Sequence, residues 1–531
     1  DNPALHAALE LGCRAVVPVF VHDVGDPCPW PLRGAALWWK SESLRAFDRS
    51  LRRSCNSRLV IRRGPLCEEL ARLAEETGAM RVHFNRMVEP WYRERDLRVE
   101  ALLRERGLLC STFQAVLLQE WPESLSIADL GYHHTSGSGF PREGMPQASA
   151  ASTASSAEGA ASDKADWAAD MKAFWEPGED AALRRLRDFV ANIETHKRPD
   201  RHRADLRNTS LLSPHLRFGE VSPRTCYAEA MRAPAHFRHG FIRRVLWRDL
   251  SYAELYRWPD VPDKSQRPQY EEQAWTGTAA DLRRWQRGCT GFPLIDAAMR
   301  QLWREGYINN YMRHVTAGFL IDYLDISWKE GFKWYDYTLV DSDAAINARL
   351  WQQGGHSGIS QWNFVMHPVY AAKNADPTGD YVRRWVPELA ALPAEFIHCP
   401  WEAAGELMSR GLRLGVHYPG RMLLGTEGAR KRHLRAIVQV RRGHPETVSE
   451  DGTELLLLRD GSRVLLRTRD DIRRDSEELI VAQAPDGVLH KKRGAGAGRG
   501  RGGVSLQQAL LDSELSSSHG RRGVDADLHI L

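Results

Sequence analysis

The chain has 531 residues, which is too long for one ordinary hydrophobic core and predicts about two to four domains. No apolar run reaches the roughly 18 residues of a membrane-spanning helix, and the eight cysteines include no C-x-x-C pair, which argues against a zinc site, an iron–sulfur cluster and a disulfide framework. The formal net charge of only +4 does not by itself indicate a protein that binds nucleic acid.

The chain opens on a predicted helix. In the first residues, DNPALHAALELG, Asn2 or Asp1 can cap a helix whose first turn contains Pro3. The strand AVVPVFVHD (15–23) follows at once, whereas an α/β sheet normally has a strand before its first helix. We therefore expect the first strand of this domain, and any targeting peptide, to lie upstream of residue 1.

Helices and strands then alternate as far as about residue 130. The later predicted strands are Arg58–Gly64, Arg81–Arg86 and Ser111–Leu118, and the predicted helices are Trp38–Cys55, Leu66–Glu76 and Arg93–Arg106. This alternation predicts an α/β domain with a doubly wound parallel sheet over residues 1–130. Such folds host many functions, so a sheet that serves only as a scaffold is an equal alternative.

Composition divides the rest of the chain into three parts. Residues 148–162 are almost all small, which predicts a disordered linker over residues 131–166. From residue 167 to about 440 strand signals nearly vanish and the 3.6-residue period dominates, as in Phe241–Trp258, so 167–440 is predicted to be all-helical. Residues 441–531 form a C-terminal extension.

The extension is predicted to be partly disordered. Its segment Glu454–Arg467 contains Asp460-Gly461, the signature of a two-residue hairpin turn. Lys491–Gly503 is rich in glycine and arginine, which favours disorder, or a basic tract for RNA contact or nuclear import. A G-x-G-x-x-G match begins at Gly498, but no strand precedes it and no helix follows, so a dinucleotide site is not predicted.

Two aspartates that flank a serine, Asp341 and Asp343, are candidate site residues. Such a pair is usually a solvated helix end or a metal pair, but no histidine or third carboxylate stands at ligand spacing, so no metal site is predicted. On a redox interpretation the aspartates accept hydrogen bonds from the edge of a flavin and Arg313 balances their charge. A plain salt bridge between Asp341 and Arg313 is an equal alternative.

Asn347 lies four residues after Asp343 and therefore shares its helix face. Its amide can donate or accept a hydrogen bond, which suits a flavin nitrogen whose protonation changes with redox state. A helix-surface asparagine is the commoner explanation.

The segment NTSLLSPHLRFGEVSPR (208–224) supplies small hydroxyls at a predicted helix start. Thr209, Ser210 and Ser213 could form a phosphate cradle together with backbone amides. Ordinary N-caps of two helices are the commoner explanation of such a segment. Its pairing with Trp247-Arg248-Asp249 favours the cradle.

Most of the eighteen tryptophans are interpreted as core residues, among them Trp258, Trp303, Trp362 and Trp401. Tryptophan is also well suited to passing an electron hole, because its indole is easily oxidised and packs in dry interiors. The sequence around three other tryptophans favours this second role.

Four stretches resemble the flavin-binding helical domain of the cryptochrome and photolyase family. They are WTGTAADLRRWQRGCTGFPLIDAAMRQLW (275–303), NNYMRHVTAGF (309–319), SWKEGFKW (327–334) and LVDSDAAINARLWQQ (339–353). The resemblance runs from Asp1 to about Val440, is most specific from Asn208 to Glu388, and is closest in character to plant and algal cryptochromes.

The resemblance implies a bent FAD. The residues implied to line it are Thr209, Ser210, Leu211, Leu212, Ser213, Trp247, Arg248, Asn310, Arg313, Asp341, Asp343 and Asn347. For a second, antenna chromophore the resemblance leaves a folate, a deazaflavin and none as alternatives. Trp351, Trp328 and Trp275 stand at the proximal, middle and surface positions of the family's electron-transfer chain, which implies photoreduction of the flavin.

Other positions bear on whether the protein repairs DNA or acts in signalling. Arg244 stands where pyrimidine-dimer photolyases carry a lesion-contacting glutamate, whereas Trp247, the stacking residue of that pocket, is retained. His314 matches one catalytic histidine of the (6-4) photolyases, but the other position is Asn310, so His314 is either an acid catalyst or only a hydrogen-bonding residue. Asn347 replaces the aspartate of plant cryptochromes, which favours an anionic radical or fully reduced flavin as signalling species.

These observations favour an FAD-dependent blue-light photoreceptor of the cryptochrome type. Its extension is expected to bind signalling proteins and to be dispensable for the flavin spectrum. The alternatives are a light-dependent DNA photolyase that repairs pyrimidine dimers or (6-4) photoproducts, and a flavin-binding scaffold without photochemistry. We expect an intracellular location, in the nucleus or the chloroplast, and no association with membranes.

Overall fold

The computed structural model describes residues 1–10, 15–118, 166–193, 202–362, 365–457, 463–466 and 468–473. The predicted linker lies outside the described residues except for its last residue. The Asp460-Gly461 turn and the glycine- and arginine-rich tract lie wholly outside them.

The amino-terminal part is the α/β domain that the sequence predicts. Its strands are β1 (Val19–Asp23), β2 (Val60–Gly64), β3 (Arg81–Arg86) and β4 (Leu109–Gln114), and its helices are α1 (Pro3–Glu10), α2 (Gly34–Cys55), α3 (Leu66–Thr77) and α4 (Pro90–Glu105). β1 pairs with β2 and β3 pairs with β4, both in parallel. A helix connects the two strands of each pair, which is the crossover that parallel pairing requires.

β4 begins and ends earlier than predicted. Gly107 adopts a positive φ of 82°, which turns the chain directly before the strand. The end of the predicted strand instead bonds to the helical domain: the Val116 carbonyl accepts from Arg248 at 2.5 Å, and the Leu118 amide donates to Asp249 at 2.9 Å. These apolar residues therefore belong to the junction between the two domains.

α2 fixes the α/β domain to the helical domain through aromatic packing. Trp39 is fully buried, and its ring lies 5.1 Å from the rings of both Trp175 and His215. Burial of a large indole supplies much of the free energy that holds such an interface. The two domains therefore share a hydrophobic core around Trp39.

The remainder of the described chain is predominantly helical, as predicted. Its helices are α5 (Ala169–Phe174), α6 (Glu179–Ala191), α7 (Ser213–Arg217), α8 (Pro223–Ala230), α9 (Ala235–Arg257), α10 (Ala279–Gln286), α11 (Pro293–Glu305), α12 (Asn310–Gly318), α13 (Trp328–Thr338), α14 (Ala344–Gly354), α15 (Ala372–Ala375), α16 (Asp380–Trp385), α17 (Ala404–Ser409), α18 (Thr426–Gly443) and α19 (Asp470–Arg473). A π-helical turn, Phe319–Tyr323, continues α12, and short 3-10 turns occur at Pro268–Glu272, Pro387–Leu389, Pro400–Glu402 and Pro445–Thr447. Among the described helices, none is both long enough and apolar enough to span a bilayer.

α11 lies at the centre of this domain. Pro293 occupies its first turn, and Gly306 ends it with a positive φ of 64°. Leu294, Met299 and Leu302 are fully buried, and each such side chain contributes roughly 1.5–3 kcal/mol by leaving water. The helices α5, α10, α12 and α16 pack against α11.

The predicted boundary at residue 440 falls inside α18, which continues to Gly443. Beyond it, β5 (Leu455–Leu457) and β6 (Arg463–Leu465) form an antiparallel pair. Leu457 pairs with Arg463, which leaves residues 458–462 between the strands. The predicted turn at Asp460-Gly461 lies within this connection, outside the described residues, and stays a prediction.

Buried ion pairs join this carboxyl-terminal segment to the helical domain. Glu454 lies 2.9 Å from Arg267, and both side chains are almost fully buried. Arg469 lies 3.1 Å from Asp322 in the π-helical turn. Residues 444–457 and 463–473 are thus, where described, part of the same packed body as the helices.

Candidate functional site

Residues of α12, α13 and α14 line a cavity with about 450 Å³ of empty space, part of which is open to solvent. It is lined by Asn310, Arg313, His314, Ala317, Tyr335, Leu339, Asp341, Ser342, Asp343, Ile346, Asn347, Leu350, Trp351 and Trp362. Trp351 and Asp341 are buried, whereas Asn310 is exposed. The cavity therefore runs from the amino-terminal end of α12 into the interior.

Arg313 and Asp341 form a two-pronged salt bridge in the wall of the cavity. Nη2 of Arg313 lies 3.0 and 2.8 Å from the two carboxylate oxygens of Asp341. Burial alone would lower the pKa of Arg313, but the Asp341 carboxylate more than offsets it and the pKa is raised. The plain salt bridge expected as an alternative is present, and it faces the cavity as the redox interpretation requires.

Asp343 and Asn347 both line the cavity, as their spacing predicts. Asp343 is also the N-cap of α14: one carboxylate oxygen accepts from the first backbone amides of that helix, and the other accepts from the Tyr252 hydroxyl at 2.5 Å. Both oxygens are thus used by the chain itself. Asn347 donates only a long hydrogen bond of 3.4 Å to a backbone carbonyl, so its amide is well placed to bind a ligand.

Flat rings stand at the outer end of the cavity. The rings of His314 and Trp362 are stacked, with centroids 4.4 Å apart and planes inclined by 20°. Nε2 of His314 lies 3.1 Å from the Asn310 amide nitrogen. Burial, and then the positive charge of the exposed Arg244, lowers the pKa of His314 to about 3. This neutral imidazole fits the hydrogen-bonding alternative better than acid catalysis.

Two of the predicted electron-transfer residues interlock across α13 and α14. Trp351 packs against Gly331, where a Cβ would lie 2.7 Å from Cζ2 of the indole. Trp328 packs against Gly355, where a Cβ would lie 2.7 Å from Cγ of the indole. Both indoles are buried, so the crossing of the helices fixes their positions.

Trp275 lies nearer the surface than these two. It is partly buried and packs against the same core. Its ring centroid is 5.7 Å from that of His433 in α18. The three tryptophans therefore extend from the cavity wall, at Trp351, to a partly exposed position.

The segment 209–213 does not line this cavity. Leu211 has a positive φ of 51°, and Leu212 is the N-cap of α7 without a side-chain hydrogen bond. The ordinary N-cap is found one helix later, where Ser222 Oγ accepts from the Thr225 amide at 3.0 Å. The segment 209–213 thus remains a predicted phosphate cradle.

Trp247 and Arg248 also lie outside the cavity lining. The guanidinium of Arg248 binds the Val116 carbonyl and lies 4.9 Å from the centre of the Tyr252 ring. The Arg349 guanidinium lies over the Trp247 ring, 5.0 Å from its centre. Their predicted contacts to FAD stay predictions.

Seven of the fourteen residues that line the cavity were not predicted: Ala317, Tyr335, Leu339, Ser342, Ile346, Leu350 and Trp362. Trp362 was assigned to the core, but it lines the cavity; its nearness to His314 depends on tertiary structure and left no signal in the sequence. Arg217 lies 3.2 Å from Glu89 and 3.7 Å from Asp343, and it therefore links the α/β domain to the cavity. Its position within the segment 208–224 was the available signal.

These side chains fit a flavin. Asn347 can donate and accept, the Asp341–Arg313 pair offers both charges at one edge, and Leu339, Ile346 and Leu350 give apolar surface for a planar ring. The combination of apolar walls and a few polar groups is usual for a cofactor site. FAD, when bound, supplies redox chemistry that none of these side chains has.

Comparison with known proteins supports this assignment. Residues 241–439 match the family of the FAD binding domain of DNA photolyase, and residues 1–133 match the family named DNA photolyase. A deoxyribodipyrimidine photo-lyase of Agrobacterium fabrum is 34% identical over 465 residues, covering 83% of this chain and 96% of that protein. Cryptochrome-1 of Arabidopsis thaliana is 28% identical over 471 residues, covering 83% of this chain and 68% of that protein.

A solved structure agrees with the sequence relatives. The bacterial class III photolyase of Agrobacterium tumefaciens superposes with a TM-score of 0.71 at 34% identity, covering 83% of this chain and 95% of that chain. FAD is therefore the cofactor, as the resemblance predicted, and the identity of any second chromophore stays a prediction. The chain belongs to the photolyase and cryptochrome family of FAD-binding proteins.

Proposed function

We propose that this protein is a light-dependent DNA photolyase that repairs pyrimidine dimers with the help of FAD. The relatives at 34% identity are photolyases matched over nearly their whole length, whereas the plant cryptochrome is more distant. These similarities support a DNA photolyase, which was expected as an alternative, better than a cryptochrome-type photoreceptor, which was the main expectation. The observation that carries the proposal is a single cavity with flat rings at its outer end and an oxidisable indole at its inner end.

The outer rings suit damaged bases. A dimer must leave the duplex before its bonds can be reached, and extruded bases stack well on aromatic side chains. The stacked pair of His314 and Trp362 offers such a surface at the cavity. Both residues line the same space as Asn347 and Trp351, so a base on these rings would approach the cofactor.

Arg244 supports DNA binding in a different way from a glutamate. It is exposed, and its charge acts on His314 at the outer end of the cavity. An exposed guanidinium there suits the phosphates that flank a lesion. We infer that the lesion is held by stacking and by its phosphates rather than by hydrogen bonds to a carboxylate.

A cyclobutane dimer is favoured over a (6-4) photoproduct as substrate. On the family resemblance, repair of the latter requires a pair of histidines. Here one position is Asn310, and the pKa of His314 is lowered to about 3 by burial and by Arg244. A neutral imidazole is a poor proton donor near pH 7.

FAD, when bound, supplies the light-driven electron transfer that splits the dimer. The chain contributes a series of indoles through which an electron hole can leave the cavity. Trp351 lines the cavity, Trp328 packs on the residue that follows α14, and Trp275 is partly exposed. Their burial in dry surroundings favours this use.

The proposal is tested with oligonucleotides that carry either lesion. The pre-reduced protein is expected to restore the cyclobutane dimer in blue light, to leave it unchanged in the dark, and to leave the (6-4) photoproduct unrepaired. Trp362→Ala is expected to weaken lesion binding, measured by fluorescence anisotropy, by about 1–3 kcal/mol because one stacking surface is lost. Trp401→Ala is the matched control, since Trp401 packs on Phe292 away from the cavity lining. Equal binding by both variants would refute the role of Trp362.

A blue-light photoreceptor is the second candidate. It is favoured by the close association of α18 with both Trp275 and the carboxyl-terminal segment: His433 contacts Trp275, and Arg430 forms a salt bridge with Asp471. The change in charge when Trp275 is oxidised would thus act on the carboxyl-terminal segment through α18. Photoreduction without repair of either lesion would support this candidate over the first.

A further inference from the structure

Three side chains that commonly bind metals meet in the interior, outside the cavity. They are Asp322 in the π-helical turn, His356 after α14, and His433 in α18. One ligand atom of each lies within 4.8 Å of the other two. Their exposed fractions are 3%, 0% and 0%, so water cannot readily satisfy them.

The imidazoles of this cluster have nitrogens without hydrogen-bond partners. His433 uses Nδ1 in a 2.9 Å contact with Asp325, and in the described part of the chain its Nε2 has no hydrogen-bond partner. Among the described residues, neither ring nitrogen of His356 has a hydrogen-bond partner, and its Nε2 lies 3.9 Å from the Asp322 carboxylate. A buried polar atom left unpaired costs on the order of 1–3 kcal/mol, so the bare arrangement is unfavourable. A bound group that accepts the lone pairs of these imidazole nitrogens would remove this cost.

Asp325 fixes the tautomer of His433. Because the carboxylate accepts from Nδ1, the proton lies on Nδ1 and the Nε2 lone pair faces the cluster. Asp325 is itself held by the hydroxyl of Thr276 at 2.6 Å and by its amide at 3.1 Å. A carboxylate that orients a histidine in this way is the usual outer shell of a metal site.

We propose that Asp322, His356 and His433 bind one divalent transition-metal ion, such as Zn²⁺. Two imidazoles and one carboxylate are a common ligand set for such ions, and they leave a position for a fourth ligand. No sequence pattern predicts this site, because its ligands come from three separate segments of the chain.

Arginines nearby limit the charge that the site can hold. Arg469 lies 3.1 Å from Asp322 and competes with an ion for one oxygen of that carboxylate. Arg469 is also paired with Asp471 at 2.6 Å, so its charge remains balanced if an ion takes part of Asp322. Arg267, which also acts on His356, is balanced by Glu454. Arg430 shares Asp471 with Arg469, so the ion and these two arginines would together face the carboxylates of Asp322 and Asp471.

The site would lie beside the two outer tryptophans. The His433 ring is 5.7 Å from the Trp275 ring, and Gly355, directly before His356, packs on Trp328. A bound ion would join the π-helical turn, the end of α14 and α18. It would thereby hold Trp275 and Trp328 in place, and this role does not depend on whether the protein repairs DNA.

The test uses the full-length, flavin-loaded protein. After treatment with a chelator and desalting, the protein is titrated with Zn²⁺ or Co²⁺. Bound metal is measured by elemental analysis, and ligand-field absorption of Co²⁺ is measured at wavelengths beyond the flavin bands. We expect one ion per chain and binding at least about tenfold weaker in Asp325→Asn, since an orienting partner is worth about 10–100-fold.

His433→Asn and His356→Asn are the decisive variants. Asparagine at 433 can still donate to Asp325 but lacks the Nε2 ligand, and asparagine at 356 tolerates the positive φ of 63° found there. Both are expected to lose the ion while retaining the flavin spectrum and circular dichroism of the folded protein. His398→Asn, a partly buried histidine beside Asp376, is the matched control and should bind metal normally.

Three outcomes would overturn the proposal. One is wild-type protein that takes up no more metal than His433→Asn. Another is equal loss of metal from His398→Asn, which would mean binding elsewhere. The third is a Co²⁺ spectrum of a fully hydrated ion, which would mean that neither imidazole coordinates it.

Discussion

Trp351 packs directly on Gly331, so that a Cβ at position 331 would lie 2.7 Å from Cζ2 of the indole. Real Cβ contacts are essentially never this short. Trp328 makes the reciprocal contact with Gly355. Gly331 in α13 and Gly355 directly after α14 thus allow the two segments to approach closely, and each buried indole fills the space above one of these glycines.

Gly331→Ala is expected to displace Trp351. The indole cannot move freely because it also packs edge-on against Tyr335 at 4.9 Å. Overpacking of this kind costs about 1–3 kcal/mol of unfolding free energy. We also expect slower flavin photoreduction, because Trp351 would leave its position in the cavity wall. Denaturant unfolding and absorbance under blue light measure the two effects.

Gly428→Ala is the control for this substitution. Gly428 lies in α18, and a Cβ there meets no atom within 4 Å. Replacing an exposed helical glycine by alanine should stabilise the protein by roughly 0.5–1 kcal/mol without changing photoreduction. Unchanged photoreduction in Gly331→Ala would refute the assignment of Trp351.

Asp341→Asn should reduce FAD occupancy. Arg313 and Asp341 are 19% and 4% exposed, and breaking a buried pair leaves the remaining charge uncompensated, at a cost of about 3 kcal/mol. The ratio of flavin to protein absorbance in the purified variant measures occupancy. Asp260→Asn removes an exposed pair with Lys264 and should cost less than about 1 kcal/mol. Full occupancy in Asp341→Asn would mean that the carboxylate does not hold the cofactor site together.

His314 should make stability depend on pH. Its pKa is about 3 in the folded protein against 6.5 for the free group, so the unfolded chain binds a proton first as the pH falls. The stability associated with the neutral ring is fully present above pH 6.5 and is lost as the pH falls toward 3. The slope contributed by one group is at most about 1.4 kcal/mol per pH unit.

The measurement is the difference in unfolding free energy between wild type and His314→Gln. Across the window from pH 6.5 to 3 this difference should change in favour of the variant as the pH falls. Other buried histidines, such as His356, act equally in both proteins and cancel. A difference that is flat with pH would show that His314 titrates normally.

Truncation should separate two parts of the extension. A chain that ends at Gly443 loses Glu454 and Arg469, which leaves Arg267 and Asp322 buried without their ion-pair partners. We expect a loss of about 3–5 kcal/mol of stability, measured by thermal or denaturant unfolding. A chain that ends at Arg473 keeps these pairs and is the control. Equal stability of the two truncations would refute this role of the segment.

This prediction revises the expectation that everything beyond residue 440 is dispensable for the spectrum. The sequence could not reveal it, because Glu454 and Arg469 look like surface charges until their partners in the helical domain are known. Burial of paired charges is a tertiary property, and it leaves no periodic pattern along the chain.

Much of the fold was predictable because it depends on local patterns. β3 was predicted to the residue, and the helical character of the second domain followed from its 3.6-residue period. β4 was misplaced because Val116 and Leu118 are apolar, yet they contact α9 instead of pairing in the sheet. Apolar residues signal burial but do not specify the partner.

The candidate site was likewise predictable only where it depends on local spacing. Asp343 and Asn347 line the same side of the cavity, as their spacing predicts. Arg313 forms the salt bridge with Asp341 that was expected as an alternative. Trp362 was missed because its stacking on His314 joins segments that are distant in the sequence. Spacing predicts contacts within one helix, whereas contacts between helices require the fold.

Light-dependent repair is the measurement that tests the central claim most directly. Pre-reduced wild-type protein is mixed with an excess of an oligonucleotide containing one cyclobutane dimer, and the repaired strand is separated by chromatography after blue light and after darkness. The account predicts several repaired strands per protein in the light and none in the dark. No repair in the light, by protein that carries FAD and is photoreduced normally, would contradict it.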